Sequence, residues 1–202
     1  MPGRYSVSLA TRIDGEIIPV AGSMSFKTVP LATATVSDGD RAALAAFQKD
    51  VAALQRAVLG SVRAMTEAST RIDHLKKGIA EAPAAGDDMG RRVRELDTRL
   101  KDLRVEFSGD STISSRSAPT PPSLVGRVGR VVSGAWNITS APTTTQQESY
   151  GVAEKAFADL LPRLRTLLEQ DLVQLEDDLE AAGGPWTPGR LPRWEESVRP
   201  AS

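Results

Sequence analysis

The chain has no cysteine, which excludes disulfides, thiolate nucleophiles and cysteine-ligated zinc while leaving the compartment open. Histidine is nearly as scarce: His74 stands alone in 202 residues, leaving a single candidate imidazole base or ligand. No stretch approaches the roughly 18 uninterrupted apolar residues of a membrane span. The first twenty residues lack the charged start and apolar core of a secretory signal. Excess charge of one sign is missing too. The 25 basic and 26 acidic residues leave a formal net charge of −1, so no general electrostatic pull draws the chain toward nucleic acid or an anionic membrane.

What is present points to helices. Hydrophobic residues make up 40% of the chain, enough for one ordinary domain with a small appendage. Aromatics make up only 4%, and abundant Ala, Leu, Arg, Glu and Asp favour long helices over a β-rich fold. The first 34 residues break that trend. Tyr5, Val7 and Leu9 alternate with Arg4, Ser6 and Ser8, the period of a strand with one buried face. Asp14-Gly15 is a turn signal, after which Ile17, Ile18 and Val20 lead into a run through Met24, Phe26 and Val29. Two or three strands are expected, and a hairpin of this kind is marginal alone.

From Ser37 the period changes. Leu44, Phe47, Val51, Leu54, Val58, Val62, Met65, Ile72, Leu75 and Ile79 follow three- and four-residue steps, which predicts one long helix of about 60 Å at 1.5 Å per residue. Ser37 or Asp38 starts it, and Pro83 with Gly86 ends it. A second helix opens at Asp87 or Asp88 with the stripe Met89, Val93, Leu96, Leu100, Leu103 and Phe107. Residues 109–122, rich in Ser, Thr and Pro, read as a flexible connector. Leu124, Val128, Val131, Val132 and Ala135 resume the second helix's path, with Trp136 expected to close that end.

A third long helix runs from about Thr143 to Ala182, with Tyr150, Ala153, Phe157, Leu160, Leu164, Leu167, Leu168, Leu172, Leu175 and Leu179 inward. Pro162 is expected to bend it unless the preceding turn loosens, and Gly183-Gly184 stops it. Arginine-rich 91–104 and acidic 169–180 are matched for antiparallel packing. The expected architecture is mainly α: an antiparallel bundle over residues 35–184, a β-hairpin over 1–34 and an irregular tail over 185–202. Trp186 and Trp194 are the tail's candidate anchors, on the bundle or on a partner.

Candidate chemistry is sparse. His74 precedes the core position Leu75 on a helix, and a slender bundle offers little concave space for a base. The neighbours Asp87-Asp88 and Asp177-Asp178 do not face each other as a hydrolase pair must, and read as solvated or capping residues. Gly126-Arg127-Val128-Gly129 has the spacing of a phosphate- or RNA-clamping loop but sits in an apolar-periodic segment. Asn137-Ile138-Thr139 matches a glycosylation acceptor by pattern alone. Arg91, Arg92, Arg94, Arg99, Lys101 and Arg104 are interleaved with Glu95, Asp97 and Asp102, which favours a structural role over phosphate binding. No catalytic, cofactor-binding or metal residue is assigned. The expected partner is protein, either the rest of a larger chain or a second copy.

The order of short motifs carries a resemblance. These are Pro2-Gly3-Arg4-Tyr5-Ser6-Val7-Ser8-Leu9, the Asp14-Gly15 turn, Phe26-Lys27-Thr28-Val29-Pro30, the long helix, Ala141-Pro142-Thr143 with Gln146 and Tyr150, and the helix from Asp171-Leu172 to Gly183. Together they resemble the C-terminal region of bacterial sortilin-like, Asp-box-repeat β-propeller proteins often labelled glycosyl hydrolases. The resemblance implies a propeller, an immunoglobulin-like sandwich and a helical tail in the parent, with this chain beginning in the sandwich's last strands. It also implies a secreted or periplasmic parent. The propeller and its Asp boxes are absent from this sequence, so no catalytic residue carries over. Two further readings are an autonomous coiled-coil protein-binding module and part of a glycan-acting hydrolase whose catalytic propeller lies elsewhere.

Overall fold

A computed structural model describes residues 2–31, 36–82, 84–116 and 118–192. Two antiparallel strands, β1 (Gly3–Ile13) and β2 (Glu16–Thr28), precede six helical segments. Five of these are α1 (Asp38–Glu81), α2 (Asp87–Ser108), the single turn α3 (Ser111–Ser114), α4 (Leu124–Trp136) and α5 (Thr144–Arg165), and the last is α6 (Leu172–Ala181). Residues Thr166–Asp171 join α5 to α6 as a π-helical stretch. The fold is mainly α with a small hairpin, as the periodicity predicts.

α1 is the axis of the bundle. Its 44 residues span about 66 Å at 1.5 Å per residue, and Ser37 caps it by accepting the Asp40 N–H at 3.0 Å. The buried seam runs Leu44, Phe47, Val51, Leu54, Val58, Ser61, Met65, Ala68, Ile72 and Leu75, an unbroken alternation of three- and four-residue steps. Two of these positions differ from the expected stripe. Ser61 holds the place assigned to Val62, and Ala68 fills a gap; Val62 and Ile79 pack only partly against the core. Ser61 satisfies its hydroxyl by donating to the Ala57 carbonyl at 3.0 Å, which lets a polar residue sit in the seam.

Two layers cover α1, one antiparallel to it, made of α2 and α4, and one parallel. α2 lies along its C-terminal half, where Lys76 reaches Asp97 at 2.8 Å and Arg104 donates to the Met65 carbonyl at 3.2 Å. α4 lies along the N-terminal half, where Gln48 donates to the Ala135 carbonyl at 2.9 Å. α4 thus resumes the path of α2, as expected. Within the connector, Asp110 accepts the N–H groups of Thr112 and Ile113 and starts α3, one helical turn that composition did not suggest. Trp136 does not close the end of α4: it is half exposed, and Ala135 is the buried residue there. The small side chain lets Phe47 and Val51 approach instead.

The third layer is α5, the π stretch and α6. Thr143 and Gln146 form a reciprocal capping box at its start, and Gln146 also donates to the Gly134 carbonyl at 3.1 Å, fixing the turn from α4. Pro162 lies inside α5, while the departure from α geometry falls after it, at 166–171. Its reason is visible in the core positions Leu160, Leu164, Leu167, Leu172, Leu175 and Leu179. The step from Leu167 to Leu172 is five residues, which at about 100° per residue overshoots a turn. The wider i→i+5 turn returns Leu172 to the seam. Gly183, at φ 75°, ends the layer. Its N–H bonds to Glu180 and that of Gly184 to Leu179, the Schellman pattern.

Because Ala68 is nearly inaccessible in a close-packed seam, Ala68→Leu should destabilise the chain by about 1–3 kcal/mol. Leu59→Ala, at a half-exposed position, should change stability by about 0.5 kcal/mol or less. Urea unfolding followed by circular dichroism measures both.

Candidate functional site

The hairpin is the feature that the bundle leaves uncovered. Cross-strand partners are Tyr5 with Phe26, Val7 with Met24, Leu9 with Ala21, Thr11 with Ile18 and Ile13 with Glu16. Between Val7 and Leu9 the β2 strand advances from Met24 to Ala21, one residue more than β1, and it gains another between Leu9 and Ala10. Between the two bulges the facing of β2 is reversed, so that Ala21 rather than Gly22 lies opposite Leu9. The two extra residues cancel in parity beyond the bulges, so Tyr5, Val7, Leu9, Ile13, Ile18, Met24 and Phe26 share one face as strand alternation requires. Tyr5 and Phe26 stack with ring centroids 5.9 Å apart.

That face is open to solvent: Leu9 is 62% exposed and Met24 72%. Among the described residues the sheet has two strands, where the sequence allowed a third. The opposite face pairs Arg4 with Lys27, Ser6 with Ser25, Ala10 with Pro19 and Arg12 with Ile17. It carries three cations and no carboxylate. An apolar face of this extent, beside a basic one, suits a protein surface or strand far better than a small polar substrate.

Several of the remaining charged residues pair with one another. Arg92 pairs with Asp178 and Arg99 with Asp171, both at 2.7 Å, so a seven-residue advance on α2 meets a seven-residue retreat on the third layer. Arg163 holds Glu106 through two hydrogen bonds of 3.0 and 2.7 Å. The expected match between the basic and acidic segments is present in these two pairs, which suit an antiparallel register. Asp97 accepts from both Lys76 and Lys101. Burial pushes its carboxyl up, but the two lysine hydrogen bonds outweigh that and hold it below the usual range. Asp178 follows the same pattern: burial raises it, while Gln174 and Arg92 bring it down overall.

One charge lies deeper than the sequence suggests. Glu176 is fully buried on α6, gripped by Arg71 at 2.8 and 2.5 Å, with Arg190 at 3.4 Å. Arg190 comes from the tail, where Thr187-Pro188-Gly189-Arg190 closes a turn through an Arg190 N–H to Thr187 carbonyl bond of 3.1 Å. Gly189 takes φ 92°, as the third residue of a Pro-Gly type II turn requires. Arg190 also pairs with Asp177 and Glu180. Thr187 is buried, and the turn with its arginine holds the tail, while Trp186 keeps more than one third of its surface exposed. Trp194 falls outside the described residues. The only sign of this arrangement in sequence is Pro188-Gly189, a turn signal in a segment whose composition reads as irregular.

The other candidates are scattered. His74 is exposed on α1. Asp87 and Asp88 occupy the first turn of α2, whose N-cap is Gly86, so neither caps it; their charge suits the positive helix end. Gly126 to Gly129 is helical within α4, which removes the open loop needed to clamp a phosphate. Asn137 is the C-cap of α4. Tyr150 donates to Glu154 at 2.9 Å, and burial with that carboxylate pushes its phenol up to about 12, so it remains protonated at neutral pH. A cleft of about 480 Å³ at the break between α2 and α4 is lined by Val105, Ile113, Pro121 and Leu160. Arg163 and Glu106 on its rim neutralise each other. No described helix is long and apolar enough to cross a membrane, and no group of three or more His, Asp or Glu among the described residues is placed to hold a metal.

Comparison with protein-family models, with curated proteins and with solved structures finds no match.

The buried and paired charges set two expected outcomes. Arg71→Met leaves Glu176 buried with a longer contact to Arg190 and should cost about 3 kcal/mol, whereas Glu176→Met removes the buried charge itself and should cost less; paired denaturation curves decide the order. The lowered Asp97 and Asp178 carboxyls contribute stability that is complete above the ordinary carboxylate pKa of about 4 and lost as pH falls through their lower folded values. The melting temperature should therefore drop below about pH 4, and the drop should be shallower in Asp97→Asn/Asp178→Asn.

Proposed function

We propose that this chain is a non-catalytic accessory and interaction module of a larger sortilin-like β-propeller protein. Its bundle serves as a rigid base and its hairpin as the element that meets the rest of the protein. The observation that carries the reading is the contrast between the two parts. The helices bury an extended apolar core within the chain, whereas the hairpin's apolar residues stay exposed. A hairpin is marginal alone, and a third strand or a packed layer gives it independent stability. Neighbouring strands in a larger β-structure supply both.

The resemblance supports the same reading from a separate direction. Several of its motifs have structural work in this chain: Asp14-Gly15 makes the hairpin turn, Thr143 and Gln146 make the capping box, and Tyr150 packs edge-on against Phe47 at 5.8 Å. None of them places a reactive group. A hydrolase activity, where the parent has one, belongs to its propeller.

The size of the native product tests this. An antibody against the helices, with intact-mass measurement of what it captures from source cells, should return a polypeptide several times heavier than this chain. A product of this chain's own mass would overturn the assignment to a larger protein and favour an autonomous bundle.

A further inference from the structure

The two edges of the hairpin are not equivalent. β2 carries both extra residues of the bulges and also Pro19, which has no N–H to offer a neighbouring strand. Proline and bulges are the devices by which an edge is kept from pairing, and proline in a sheet belongs where its nitrogen faces away from the ladder. β1 has neither. Its 11 residues run without proline and without an inserted residue.

From this asymmetry we infer that β1 is a docking edge for an extended, acidic strand, which adds beside β1 and continues the sheet. The inference rests on reading the hairpin as the docking element and specifies its partner. Apolar side chains of the incoming strand extend the surface of Val7, Leu9 and Ile13, and its other face meets Arg4 and Arg12. Both arginines are exposed, and neither forms an ion pair among the described residues. With Lys27 they make the polar face uniformly basic, so carboxylates opposite them are favoured and cations are not.

The same charges argue against a second copy as the occupant. Antiparallel pairing of β1 with another β1 in full overlap is centred on Ser8 and sets Arg4 against Arg12 twice over. Like charges directly opposite are destabilising. A strand with acids at the two corresponding positions relieves that repulsion and adds two attractive cross-strand pairs.

The probe is a synthetic peptide matching the 11 residues of β1 in length, alternating valine with serine and carrying glutamate opposite Arg4 and Arg12. Its counterpart carries lysine there. Titration into isotope-labelled full chain, followed by amide shifts, should move β1 resonances with the glutamate peptide and leave the outer edge of β2 unmoved. In Arg4→Glu/Arg12→Glu the preference should invert, each peptide's affinity changing by about tenfold. Shifts confined to β2, no shifts at millimolar peptide, a preference indifferent to the swap, or β1-to-β1 dimers of the free chain would overturn the inference. If the peptide ignores β1 while the native product is still several times heavier than this chain, the edge assignment fails and the interaction-module reading survives. If the peptide binds β1 while the native product has this chain's own mass, the docking edge stands and the assignment to a larger protein fails.

Discussion

The seam of α1 is the constraint to which the rest of the bundle is fitted. Leu44 to Leu75 present buried positions at a constant seven-residue repeat, so any segment packing along them must keep the same period. α2 and α4 do so in two pieces, separated by the connector. The third layer keeps contact by changing its backbone: the π stretch at 166–171 absorbs a five-residue step and returns Leu172 and Leu175 to the core. Close approach at the centre depends on small residues, Ser61, Ala68 and Ala153, all buried in a structure otherwise packed with leucine and valine. Farther along, Gly78 performs the same service. A Cβ there would meet the Leu179 side chain at 2.9 Å and the Pro185 ring at 3.2 Å, so both would have to shift to admit one.

Electrostatics acts on this apolar frame as a selector. Exposed pairs such as Arg163 with Glu106 contribute about 1 kcal/mol at most, far less than the leucine seam. Their value lies in being correct in only one register. Glu176 differs in kind, since a buried carboxylate without a cation would be costly. Arg71 neutralises it from α1 and Arg190 from the tail, which ties the first helix and the last described segment to the same carboxylate.

Much of this is legible in sequence. The start of α1, the antiparallel path through α2 and α4, the stop at Gly183-Gly184 and the hairpin turn all follow from periodicity and capping residues. The features that sequence conceals share a physical origin. Ser61 and Ala68 are invisible to a pattern search for large apolar residues, because they matter by being small. The size of Trp136 suggests an inward place, but size excludes it where Ala135 lets helices touch. Glu176 looks like one more acid on a solvated face, since its burial depends on Arg71, 105 residues away. The bulges in β2 leave no mark on the alternation of Ile18, Val20, Met24 and Phe26, because the two extra residues cancel in parity, and only the pairing register reveals them.

The two parts of the molecule therefore stand in different thermodynamic positions: the bundle buries its own core, and the hairpin leaves its apolar face exposed. Hydrogen exchange of the isolated chain, read by mass spectrometry, tests this most directly. The account predicts that amides from 44 to 75 and from 160 to 179 exchange slowly as one cooperative unit, while those from 3 to 28 exchange many times faster. Equal protection of hairpin and bundle would contradict it, since the hairpin would then already possess the partner that its exposed face is argued to lack.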